Sequence, residues 1–238
     1  MGIPAWVWFV IAAVAAVAGV VLLVVDRARE TSRNRERARW ASLRGWQLND
    51  VDRVLATQWD GGAIGYYDAQ VARDVVTGST FTTDGRRQLY VFDIENGGRV
   101  HGVIAAVRCR TVHRALLELW LASVPFQRDE MPELLGPVGQ RYAFTDNVTE
   151  ARPLITQELI EAADELGGDV SVAWLEGEWV LACVPPNSGP SRIERLLRDI
   201  GELADVVDPA SGGSLSARGR HARSLAEGER APEDSPEP

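Results

Sequence analysis

Chemistry at a protein site needs particular side chains held together, and few candidates occur in this sequence. Cys109 and His113 come nearest to a nucleophile with its base. Such pairs are defined by spatial geometry and by a third group that orients the base, and no supporting motif supplies one here. Three scattered histidines (His101, His113 and His221) and two isolated cysteines give no metal-ligand spacing. Glu158, Glu161, Asp164 and Glu165 form an acidic run, read as the solvated face of an amphipathic helix. Glu176 and Glu178 flank a turn and read as exposed. All 25 basic residues are Arg, so a phosphate loop that depends on lysine is excluded. Gly78-Ser79 lacks the following Gly of a nucleophile elbow. The sequence therefore predicts no catalytic residue, no metal site, no cofactor and no enzyme.

The arginines carry the better physical case. Arg27, Arg29, Arg33, Arg35, Arg37 and Arg39 stand against Asp26, Glu30 and Glu36, a local charge of +3. With a formal net charge of −9, that leaves −12 for the rest of the chain. An acidic body does not suit nucleic acid, which binds basic surfaces. A basic collar beside an anionic leaflet contributes about 1 kcal/mol per Arg, reduced here by the three acids. These six arginines are the expected membrane-surface contacts, with anionic lipid as a candidate ligand.

The collar follows an apolar run. No charge precedes Asp26, and residues 4–25 are almost entirely apolar. As a helix this run rises about 33 Å, enough for a hydrocarbon core of about 30 Å with some tilt. Trp6 and Trp8 sit where indoles favour the membrane interface. The run has no basic n-region, and its one cleavage-like triplet, Ala16-Val17-Ala18, lies inside the apolar stretch, so an uncleaved anchor fits better than a signal peptide. All the basic flank lies on the C-terminal side. The positive-inside rule then puts the N-terminus outside and the body in the cytoplasm of a bacterial cell membrane. Reduced, buried Cys109 and Cys183 follow from that topology. Ala12 with Ala16, and Ala15 with Gly19, are small residues that permit close helix approach and a homodimer through the span.

The expected organisation is an anchor over 1–25, an Arg-rich juxtamembrane helix over 26–45, a cytoplasmic α+β domain over 46–207 and a disordered tail over 208–238. Gly45 stops the long helix, and a short helix is expected from Asn49 or Asp50 to Gln58. Asp84-Gly85 joins two strands in a hairpin and Asn96-Gly97-Gly98 leads to a third, an antiparallel meander. Leu89 to Ile94 is apolar on both faces, as in a central strand covered on both sides. Residues 170–175 and 179–184 form a second hairpin about Glu176-Gly177-Glu178. A helix is expected from Pro153 to about Leu166. A second opens with a capping box, Ser191 with Glu194, and carries an apolar stripe from Ile193 to Val207 that covers the sheet. Trp40, Trp46, Trp59, Trp120, Trp174 and Trp179 are read as core.

Arg39-Trp40-Ala41 with Gly45-Trp46, Trp59-Asp60-Gly61, Val75-Val76-Thr77-Gly78, Tyr90-Val91-Phe92-Asp93 and the stretch Val172-Ala173-Trp174-Leu175-Glu176-Gly177-Glu178-Trp179-Val180-Leu181 carry a resemblance. The chain resembles a group of uncharacterised actinobacterial single-span membrane proteins with a cytoplasmic domain of unknown function. The resemblance implies the architecture and brings no catalytic residues. The expected function is a membrane-anchored, non-enzymatic binding or scaffolding module with a protein partner. Lipid or envelope-precursor binding at the inner membrane surface is the alternative, and an enzyme with an unrecognised site ranks below both.

Overall fold

In the computed structural model the backbone is described over residues 5–124 and 131–209, and side chains over the same residues apart from 5, 10 and 22–33. Of the expected tail over 208–238, residues 210–238 lie outside the described residues, as does part of the expected anchor, while Asp208 is buried and paired with Arg87. Helix α1 runs unbroken over Ala5–Leu43. Its described apolar side chains, Trp6, Trp8 and Phe9 through Val21, are almost all exposed. Among the described residues, no helix is long and apolar enough to cross a membrane. Gly45, at a φ of +68°, ends the long helix as expected.

The body is one antiparallel sheet with helices. Its strands are β1 (Gln47–Asp52), β2 (Val71–Thr82), β3 (Gly85–Asn96), β4 (Arg99–Leu121), β5 (Glu133–Val138), β6 (Arg141–Thr145) and β7 (Val172–Val184). The first four form the meander, β1-β2-β3-β4. The Asp84-Gly85 turn closes the β2–β3 hairpin, in which Thr82 faces Gly85.

The two longest strands explain how one sheet holds all seven. The first half of β4 pairs β3 on one side and the 179–184 arm of β7 on the other. Its second half pairs β6 and the 172–177 arm of β7. Strand β7 doubles back at Gly177, φ +59°, so that Ser171 N–H donates to the Cys183 carbonyl at 3.0 Å. The folded-back β7 thus sits between the two halves of β4. This is the hairpin expected about Gly177. The third strand of the meander and the chain that follows it to Leu121 are a single element that arches over the tip.

Each face of the sheet carries its own core. On one face Leu89, Val91, Val103 and Val107 pack under the C-terminal end of α1, α4 (Gln157–Glu165), which follows the single-turn helix α3 (Val148–Ala151), and α5 (Pro190–Val207). On the other face Phe92, Ile94, Ile104, Trp120 and Trp174 pack under the 55–66 segment, which holds a 3₁₀ turn (Leu55–Gln58) and the short helix α2 (Gly62–Tyr66). The two-sided character of β3 follows directly. Five of the six tryptophans read as core are buried, Trp46 being the exception.

Three local expectations fail for identifiable reasons. Residues 47–52 pair with β2 as an edge strand, so no helix begins at Asn49. Asp52 instead caps the 3₁₀ turn, its Oδ1 accepting from Val54 and Leu55 N–H. Pro153 lies in a 3₁₀ turn, and α4 starts four residues later with Thr156 accepting from Leu159 N–H at 3.3 Å. The N-cap of α5 is Gly189, which makes no side-chain cap bond; Glu194 is used elsewhere.

Buried polar groups knit helices to sheet. Arg141 on β6 donates to the carbonyls of Leu119, Ala163, Gly167 and Val170, tying α4 and the following loop to the strands. Burial pulls its pKa down to about 10, with Asp164 and Asp169 acting in the opposite sense, so it stays charged at neutral pH.

Cys109 and Cys183 are free and buried on opposite faces of the sheet, which bars a disulfide between them. Burial pushes both thiols up to about 12. A thiol-disulfide reagent at pH 8 should find no fast-reacting thiol in the native chain and both in denaturant. One rapid equivalent per native chain would contradict this packing.

Candidate functional site at the junction of the long helix and the sheet

The C-terminal end of α1 is locked to the body. Arg37, at the collar's inner edge, turns inward and its Nη1 meets the Asp93 carboxylate at 2.5 Å, with both side chains about nine-tenths buried. Asp93 shares its strand face with Leu89 and Val91, which places a carboxylate under the helix. One turn on, Trp40 is buried and donates from Nε1 to Glu194 of α5 at 2.7 Å; Arg44 reaches the same oxygen at 2.5 Å. Ala41 is buried beside Trp40. The helix is therefore held by an ion pair, an indole hydrogen bond and apolar packing within two turns.

This geometry corrects one expectation. Arg37 is no membrane-surface contact, because its guanidinium is spent on Asp93. Arg35 and Arg39 are exposed, and the side chains of Arg27, Arg29 and Arg33 lie outside the described residues. Trp6 and Trp8 are exposed on the apolar half of α1. The sequence signal that distinguishes Arg37 is its spacing to Trp40 and Ala41, which puts it on the helix face that docks.

Breaking the inner pair should be costly. Asp93→Ala leaves a buried guanidinium without its partner, and a loss of about 3 kcal/mol is expected in urea unfolding. The double variant Arg37→Met, Asp93→Leu should recover most of it, since an apolar pair of similar volume has no charge to desolvate. A loss in the double variant as large as in Asp93→Ala would show that the stranded guanidinium is not its cause.

Beyond Gly45 the chain turns and lays Trp46 across β2. Gly78 makes room for it, since a Cβ there would overlap the Trp46 indole. Trp40 abuts Trp46 edge-on, with ring centroids 5.0 Å apart, and the Arg44 guanidinium lies 5.6 Å from the Trp46 ring. The indole is fixed from several sides yet stays partly exposed. Phe81 lies nearby and is 79% exposed. A cavity of about 270 Å³ opens on one side of this aromatic pair, towards α5. A wider, shallower depression of about 850 Å³ opens on the other, towards Arg86 and Gln88. Arg44, Trp46 and Phe81 line both.

A second constellation went unnoticed in the sequence. Glu118 is fully buried in the apolar β4; it accepts from Gly62 N–H at 2.6 Å and from Trp120 Nε1 at 2.7 Å. Glu176 accepts from the N–H groups of Asp60 and Gly61 and from Trp174 Nε1. Two carboxylates thus hold the Asp60-Gly61-Gly62 turn against the sheet. Burial raises the Glu176 pKa against the lowering effect of those N–H donors. Glu176 is accordingly not the exposed turn residue its hairpin position suggested. These carboxylates accept from the protein's own backbone N–H groups and indoles. Cys109 and His113 are not brought together as nucleophile and base: His113 meets Thr111 at 3.4 Å, and the Thr111 hydroxyl donates to Asp208. Among the described residues no group of His, Cys, Asp or Glu could hold a metal ion.

The family model of trehalose monomycolate transport factor TtfA matches residues 3–234. The chain belongs to this family. Among TtfA relatives, trehalose monomycolate transport factor A of Mycolicibacterium smegmatis is 27% identical over 200 residues, covering 84% of this chain and 69% of the relative. The crystal structure of the mycobacterial TtfA superposes with a TM-score of 0.62 at 23% identity, over 74% of this chain and 96% of that one. At that identity the likeness shows the shared α+β fold. The resemblance to an actinobacterial group holds, with one correction: the TtfA family has a named transport role and is not of unknown function.

Proposed function

We propose that this chain is a membrane-tethered, non-enzymatic accessory factor in the transport of a trehalose-bearing mycolate lipid, with its body acting as a binding or scaffolding module for the transport machinery. The observation that carries the reading is the continuity of α1. One helix joins an exposed apolar segment, Trp6 to Val21, to a base pinned by Arg37–Asp93 and Trp40–Glu194. Exposed apolar side chains all round a helix need a cover, and a bilayer supplies one. The reading places the apolar segment across the cytoplasmic membrane, the N-terminus outside and the sheet in the cytoplasm. A rigid base lets the helix fix the height and orientation of the body, which suits a scaffold. Arg35 and Arg39 remain free to face anionic lipid.

Membership in the TtfA family supports the transport role, and the inward-facing polar clusters support a non-enzymatic one. The test is complementation in a strain lacking the gene. Chains with and without residues 5–25 would be compared by the ratio of newly made trehalose monomycolate inside the cell to that delivered outside. Restoration by the full chain and not by the truncated one is expected. Restoration by both would remove the tether from the mechanism, and by neither, the transport role.

A further inference from the structure

The geometry points to the Trp46–Phe81 groove as a carbohydrate site that takes a neutral disaccharide of linked pyranose rings. The transport reading supplies the choice of probe; the site itself stands on its lining. A pyranose has an apolar C–H face and a rim of hydroxyls, so its binding site combines a fixed aromatic platform with hydrogen-bonding groups at the edge. Trp46 is such a platform, seated on the bare backbone of Gly78 and abutted edge-on by Trp40. Phe81 also lines the groove and is exposed.

The rim suits an uncharged polyol. Thr80 and Thr83 offer hydroxyls on the α5 side; on the other side Gln88 lines the wall, its amide donating to Tyr90 and accepting from Arg108. The charges are close to balanced. Glu194 already holds Arg44, and Glu202 on the same wall offsets Arg198. An anionic ligand would meet two carboxylates and a cationic one three guanidiniums, whereas hydroxyls can use both kinds of group. The cavity of about 270 Å³ towards α5 stands near the small end of ordinary ligand sites, which run from about 300 Å³ upward.

Position narrows the route of entry. Twenty-two residues separate Val21 from Leu43 along α1, a rise of about 33 Å. A sugar held beside Trp46 has therefore either left the bilayer as a lipid headgroup or arrived free, and the recognising chemistry is the same.

The full chain in detergent micelles would be titrated with trehalose, and separately with a trehalose monoester in the same micelles, by saturation-transfer NMR. Wild type should bind at least one probe, and Phe81→Ala should weaken binding roughly fivefold to tenfold, the weight of one aromatic contact. Phe81 is exposed, so this variant keeps the fold; Trp46→Phe should weaken binding in the same direction, and Val112→Ala, exposed on the β4 arch, should not. Binding of the ester alone would assign the ligand to a lipid headgroup, and equal binding of both to the sugar itself. No binding of either probe, or binding unchanged in Phe81→Ala and Trp46→Phe, overturns the site. If the wild-type chain still restores lipid export in that event, the transport reading stands without the groove.

Discussion

Gly62→Val is expected to unfold the body or to lower its stability by more than about 4 kcal/mol, the range reserved for a forced clash in a packed site. Two independent costs combine. Gly62 has a φ of +57°, where any L side chain costs about 1–2 kcal/mol and a β-branched one more. A Cβ at this position would also overlap the Trp174 indole. Neither party can retreat. Trp174 is buried and its Nε1 is bound to Glu176 at 3.2 Å, while the Gly62 backbone is bound to Glu118 and its neighbours to Glu176. Gly97→Val separates the two costs. Gly97 has a similar φ of +60°, but a Cβ there meets nothing within 4 Å. Urea unfolding should show only the backbone cost in that variant. Comparable losses at both glycines would mean that the Trp174 contact is soft.

Arg87→Met is expected to cost about 3–5 kcal/mol, as breaking a buried ionic network does. The Arg87 side chain is essentially buried. It meets Asp205 at 2.8 Å and Asp208 at 3.2 Å, and donates to the carbonyls of Arg108 and Asp208. Removing it strands Asp208, which also accepts from Thr111 and from Arg110 N–H, and frees the end of α5 from the sheet. The loss carries a pH signature. Burial acts to raise the Asp208 pKa, but the Arg110 N–H, Arg87 and Thr111 together overcome it and hold the carboxyl below its ordinary 3.8. A carboxylate with a depressed folded pKa contributes stability that is present above the unfolded value and lost as pH falls through the folded one. Wild type should therefore shed this contribution only below about pH 3.8, and Arg87→Met should already lack at pH 7 the part that Arg87 supplies, keeping that of the Arg110 N–H and Thr111. Parallel stability–pH curves for the two proteins would exclude Asp208 as the group involved.

The elements that sequence reasoning found are those with local causes. Asp84-Gly85 and Gly177 turn the chain by their own backbone freedom, and the stripe from Ile193 to Val207 needs only helical periodicity. The missed features depend on partners far along the chain. Residues 47–52 become a strand because β2 offers an edge, and nothing in Asn49-Asp50 announces that. Glu194 sits at the spacing of a capping box, yet Trp40 and Arg44, some 150 residues earlier, take its carboxylate. Arg37 was grouped with its five neighbours because one-dimensional charge counting has no inside. Glu118 offered the clearest overlooked signal, a lone acid among Leu117, Leu119 and Trp120. A charge in an apolar strand requires donors, and the glycine turn at Asp60 supplies one of them. The Trp46 groove was the least legible part. Its tryptophan was read as core, and its shape arises only when Gly78, Trp40 and α5 converge.

The pinned helix joins these parts into the account we propose, in which α1 crosses the membrane and holds the body on the cytoplasmic side. Ser42 is exposed at the helix base, and both native thiols are buried. A Ser42→Cys chain would be treated with a membrane-impermeant maleimide in intact and in opened cells, and the label read on carbonate-washed membranes. The account predicts that the chain stays in the membrane pellet and takes label only after the cells are opened. Label acquired in intact cells, or a chain released by carbonate, would contradict it.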